Sequence, residues 1–110
     1  MSLEYVYTKV YISERFTWSE TKRRRILAER GFDLLRAARI FRGPVMVTED
    51  VRHDYGETRY IALGVTEDEY VTVVFTPRQD PQTGEDVLHL VTAWRMGRRA
   101  RRRDQERHSR

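Results

Sequence analysis

The run Val87-Leu88-His89-Leu90-Val91-Thr92-Ala93-Trp94 passes without a turn residue into Arg95-Met96-Gly97-Arg98-Arg99-Ala100-Arg101-Arg102-Arg103. Its first part is rich in β-branched, aliphatic and aromatic side chains and is long enough for a central strand. Its second part consists of helix-forming Arg and Ala with charge almost all of one sign, which predicts a basic C-terminal helix or tail over 95–110. A buried strand and a cationic surface are thus covalently joined. That junction is where a polyanionic ligand is expected to bind.

Working backwards, three more strands are predicted at Val45–Thr48, Thr58–Gly64 and Tyr70–Thr76. Their connections are short, and the last of them (77–85) carries Pro, Asp and Gly. Short links between sequential strands favour an antiparallel meander. Ile61, Leu63, Val71, Val73 and Phe75 are expected on one face of it. Before the strands come two helices. The first is predicted from Trp18 to Arg30, opened by a capping box of Thr17 with Glu20 and closed by Gly31 in a left-handed conformation. Trp18, Ile26 and Leu27 would supply its apolar contacts, and Lys22-Arg23-Arg24-Arg25 a positive band. Asp33 caps the second, whose Leu34, Ala37, Ala38 and Phe41 form one stripe before Gly43-Pro44 ends it. Residues 1–13 alternate weakly, as an extra edge strand or an arm. The reading is a single α+β domain over 1–110, with helices on one side of a four- to five-stranded sheet.

At 110 residues and 39% hydrophobic content the chain supports one modest core, while 35% charged residues ionise its exterior. The net charge is +4, and the signs nearly cancel up to Asp86, so the surplus sits in the last segment. A localised surplus points to nucleic acid or an acidic protein partner. Absence of Cys excludes disulfides, thiolate nucleophiles and Cys-based zinc sites. His53, His89 and His108 have no ligand-like spacing, so no metal site and no cofactor is expected. There is no apolar run of membrane-spanning length and no signal-peptide pattern, so a cytoplasmic protein that does not engage a membrane is expected.

Three features carry possible chemistry. Glu57 and Arg59 are two apart on one strand, hence on one side of the sheet. Arg59 would be a phosphate clamp oriented by Glu57, the alternative being an ordinary ion pair. Arg59 also shares parity with Ile61 and Leu63, so its stem is expected along the apolar face. Arg78 and Arg95 follow the third and fourth strands, and the sequence does not decide whether they converge. Arg98, Arg99, Arg101, Arg102 and Arg103 encircle the predicted tail helix and suit RNA phosphates, with Arg78 as a further contact. His53 lies beside Asp54 in a loop, as a candidate general acid or base or a merely exposed side chain. His89 shares the parity of Val87, Val91 and Ala93, which predicts a partly buried, structural imidazole. Trp94 is by default a core side chain, with a lid on the site or a base-stacking platform as the alternatives.

In order and spacing, Phe16-Thr17-Trp18-Ser19-Glu20-Thr21-Lys22, Arg30-Gly31, Ala37-Ala38 with Phe41 and Gly43-Pro44, Glu57-Thr58-Arg59-Tyr60 with Gly64, and Val91-Thr92-Ala93-Trp94-Arg95 resemble the BrnT toxin family over roughly residues 16–103. The chain departs from the family pattern at Ser19, Ile26, Glu29-Arg30, Trp94 and Ala100. The resemblance implies a RelE-like ribonuclease toxin that cuts RNA without metal. It also implies neutralisation by a ribbon-helix-helix antitoxin, with oligomers formed only together with it. On matching positions Lys22, Glu57, Arg59 and Arg95 inherit active-site roles. Metal-free cleavage needs a base for the 2′-hydroxyl, a cation for the phosphorane and an acid for the leaving oxygen. Arg59 and Arg95 fit the cation, Glu57 or Lys22 the base, His53 or Tyr60 the acid. A non-catalytic nucleic-acid module, or an interaction protein docking an acidic partner through its tail, is the competing reading.

Overall fold

In the computed structural model, residues 8–9 and 15–96 are described. The predicted C-terminal helix therefore lies outside the described residues, as do Arg98, Arg99, Arg101, Arg102, Arg103 and His108. The elements run β1 (Thr8–Lys9), β2 (Phe16–Thr17), α1 (Glu20–Arg30), α2 (Leu34–Ala37), a tighter 3-10 turn over Ala38–Arg42, β3 (Val45–Asp50), β4 (Arg59–Thr66), β5 (Glu69–Gln79) and β6 (Asp86–Arg95). The four long strands form the expected antiparallel meander. Two-residue strands flank it, in the order β1-β3-β4-β5-β6-β2. The sheet is mixed rather than purely antiparallel, because β2 runs parallel to β6, with Phe16 opposite Leu88 and Thr17 opposite His89. Parallel strands need a long connection, and here nearly the whole chain supplies it. The N-terminal segment contributes an edge strand, β1 pairing antiparallel with β3.

Capping explains where the helices start. Ser19, and not Thr17, is the N-cap of α1, its side chain accepting the backbone N–H of Lys22. Thr17 is extended in β2, so its hydroxyl is used elsewhere. Gly31 ends α1 as predicted, at φ 64°, with its N–H on the Leu27 carbonyl. Within α1 only Ile26 is buried, whereas Trp18 and Leu27 are exposed. The helix runs beside β6 past the short β2, where Arg30 donates to the Ala93 carbonyl at 2.8 Å and to the Thr92 hydroxyl. It thereby occupies a backbone acceptor on what would otherwise be an open sheet edge. Asp33 caps α2 through Leu35 N–H and takes a two-pronged ion pair from Arg23, which fastens α1 to α2. The second helix breaks into 3-10 geometry after Ala37, yet Leu34, Ala37, Ala38 and Phe41 are all buried as the stripe required.

The core lies between these helical turns and one face of the sheet. Phe41 sits between Phe16 and Phe75, at centroid distances of 5.8 and 5.2 Å. On the sheet the core face is Tyr60, Ala62 and Gly64 with Val71, Val73 and Phe75. Ile61 and Leu63 point the other way, contrary to expectation. The reason is steric: a Cβ on Gly64 would stand 2.8 Å from Ile40 Cβ and 3.0 Å from a Val45 methyl, so only a strand with small residues there lets the helical layer close down.

One irregularity decides what the other face carries. Val74 pairs with Thr92 but Phe75 pairs with Leu90, so Val91 is an extra residue in β6. This β-bulge reverses the alternation of the strand. Leu88 and Leu90 turn into the core with Ala93, and His89 turns to the face away from the helical turns, opposite Thr76 and Thr17.

Candidate functional site

That face carries the charged cluster. Glu57 enters from the β3–β4 loop and holds two arginines. Arg78 donates to it at 2.9 Å, and Arg59 Nε makes a longer contact of 3.4 Å. The pairing expected from sequence is therefore present, enlarged by Arg78. Arg59 is aimed by a second partner, since its guanidinium lies 4.1 Å from the centroid of the Tyr55 ring. The Arg78 hydrogen bond and the Arg59 charge hold the Glu57 carboxyl below the usual range, so it stays ionised. Lys22, on the first turn of α1, faces the same group. Partial burial, and then the charges of Arg59, Arg25 and Arg30, lower its proton affinity.

His89 completes the cluster. Its Nδ1 is 2.8 Å from the Thr17 hydroxyl, and it is half-buried. Burial, then Arg78, lowers its pKa; Glu57 opposes, and Lys22 and Arg59 add to the lowering. The imidazole is partly buried and hydrogen-bonded as the sequence predicts, but the bulge takes it off the face of Ala93.

The remaining candidates lie elsewhere. His53 is exposed in the loop, its ring edge-on to Tyr55 at 5.7 Å, so it touches the support of Arg59 rather than the cluster. Tyr60 belongs to the core face, stacked near Phe75. Arg95 is opposite Val71 at the far end of β6 on the helical side, where it approaches Glu69 and the Phe32 ring. Arg78 is opposite Val87. Arg78 lies seven steps beyond Val71 along β5, roughly 23 Å of strand, so the two arginines do not converge. Trp94 pairs with Thr72 on the face carrying His89 and is half-buried, outside the core.

Asp50 was not foreseen. Its carboxylate is 1% exposed and accepts both prongs of Arg52, the Arg52 N–H and the Tyr55 hydroxyl. It ties down the loop that presents Tyr55 and Glu57. Arg52, foremost, pulls its pKa from 3.8 to about 2. A depressed carboxyl stabilises the fold above its unfolded pKa and loses that contribution as pH falls through the folded one. Asp50→Asn should therefore cost up to about 2 kcal/mol at pH 7. The gap to wild type should close between about pH 4 and pH 2. Denaturant titrations across that range check it, and a gap independent of pH would show that the Asp50 charge is not what holds the loop.

The fold and this cluster together define an α+β protein with a cationic, carboxylate-braced sheet face suited to a phosphodiester. A family model described as the ribonuclease toxin, BrnT, of type II toxin-antitoxin systems matches residues 18–104, and the chain belongs to that family. Such a toxin acts on RNA and has an antitoxin partner. No curated protein is similar enough to the chain to count as a match. Among the described residues no helix is long and apolar enough to cross a membrane.

Proposed function

We propose that this toxin cleaves RNA by metal-independent attack of the 2′-hydroxyl on the adjacent phosphorus, with Arg59, Arg78 and Lys22 stabilising the phosphorane. The single observation that supports this is Glu57 bracing Arg59 and Arg78 on the face to which Lys22 is presented. Three cations at one place do for an equatorial oxyanion what a metal ion would do elsewhere, and a pre-set carboxylate spares them reorganisation when charge develops. Glu57, already engaged by two guanidiniums, is an orienting group in this scheme and a weak base. The arginines at 98, 99 and 101–103 supply further phosphate contacts, a reading that rests on their charge in the sequence. The antitoxin is of the ribbon-helix-helix class, as the family resemblance implies.

Purified protein should convert a defined RNA into fragments ending in 2′,3′-cyclic phosphate and 5′-hydroxyl at an undiminished rate in EDTA. An RNA with 2′-deoxy substitution at the cut should bind and survive. Binding without cutting would favour a non-catalytic module, and activity abolished by EDTA would end the metal-independent mechanism.

A further inference from the structure

In that reaction the 2′-hydroxyl proton still needs a base. Glu57 is committed to Arg78 and Arg59, Tyr60 faces the core, and His53 stands outside the cluster against Tyr55. One titratable side chain of the cluster has no role yet. The β-bulge at Val91 delivers His89 onto the face of Arg59, and the Thr17 hydroxyl fixes its Nδ1 at 2.8 Å. A side chain packed as a mere strand residue would need neither device.

We propose that His89 is the general base of RNA cleavage, accepting the 2′-hydroxyl proton on Nε2 while Thr17 holds the ring through Nδ1. This rests on the ribonuclease reading. In the reactive tautomer Nδ1–H donates to the Thr17 oxygen, which leaves the Nε2 lone pair free. The groups acting on the ring come from four elements: Lys22 of α1, Glu57 of the β3–β4 loop, Arg59 of β4 and Arg78 of β5. Their balance, together with burial, keeps the imidazole neutral at pH 7, the form a base requires. In the step, the 2′-oxygen loses its proton to Nε2 and forms a bond to phosphorus, and the P–O5′ bond breaks. Solvent water protonates the departing O5′, and the hydroxide so formed takes the proton from the imidazolium. The products are the cyclic phosphate, the 5′-hydroxyl fragment and the unchanged enzyme.

The test is His89→Gln, whose amide can still engage Thr17, assayed on a defined RNA from pH 4 to pH 8. Turnover should fall about 10²–10⁴-fold, and the acid limb of the kcat/KM profile seen in wild type should disappear. Affinity for the 2′-deoxy-substituted RNA should be unchanged. His89→Ala supplies a second arm: free imidazole should restore cleavage in proportion to its unprotonated fraction. If folded His89→Gln cuts as fast as wild type with the same acid limb, His89 is not the base although the ribonuclease reading stands. A wild-type profile flat from pH 4 to pH 8, or an alanine variant deaf to imidazole, would also overturn it. A wild-type protein that cuts no RNA would instead bring down the ribonuclease reading itself.

Discussion

Folded Arg59→Ala should cut a defined RNA about 10²–10³-fold more slowly than wild type, a loss of about 3–4 kcal/mol of transition-state stabilisation. The guanidinium is held by Glu57 on one side and laid on the Tyr55 ring on the other, so its position is set before substrate arrives. Pre-set charge acts on the phosphorane more than on the ground-state diester, so the loss belongs mainly in kcat. Arg59→Lys should recover part of the rate, because an ammonium supplies charge without the planar, two-pronged contact. Cleavage assays with EDTA present, paired with melting curves, decide the matter. If Arg59 is only one arm of a surface ion pair, the alanine variant will cut normally and melt slightly lower.

Phe75→Ala should cost about 3–5 kcal/mol of folding free energy. The ring is fully buried, meets Phe41 edge-on and lies 5.8 Å from Tyr60. Its removal leaves a cavity where the helical turns contact the sheet. The position also adjoins the β-bulge, and the next residue, Thr76, binds the Thr58 carbonyl beside the charged cluster at 2.6 Å. Denaturant unfolding followed by tryptophan fluorescence would measure the cost. A value near that of a surface substitution would mean the sheet and helices can collapse onto the gap.

Much of the architecture was legible in the sequence for local reasons. Gly31 as a helix stop, Asp33 as a cap and the turn chemistry of 77–85 act within a few residues of themselves. The four long strands follow from their β-branched runs. The Glu57–Arg59 pair follows from the two-residue period of a strand. Facing was harder. In β4 the larger apolar residues, Ile61 and Leu63, advertise a core face, while the real one carries Ala62 and Gly64 because Ile40 and Val45 crowd it. For His89 the partly buried, hydrogen-bonded state was legible, but its side of the sheet was not. Alternation counted back from Ala93 puts it inward, and the extra residue Val91 breaks that count. A bulge leaves little trace in one sequence, and here it decides which side of the sheet receives the imidazole. The parallel pairing of β2 was equally invisible, since its partner is most of the chain away.

The Thr17–His89 contact joins residues 72 apart in sequence. Parallel pairing over such a span forms only after the entropy of closing the intervening chain has been met, which places it late in folding. A nascent chain that has not yet yielded β6 therefore holds Thr17, Glu57, Arg59 and Arg78 but not the imidazole that Thr17 orients. On the general-base proposal for His89, a chain still lacking β6 carries no catalytic base. Among the described elements, the strand made last is the one that carries His89 to Thr17.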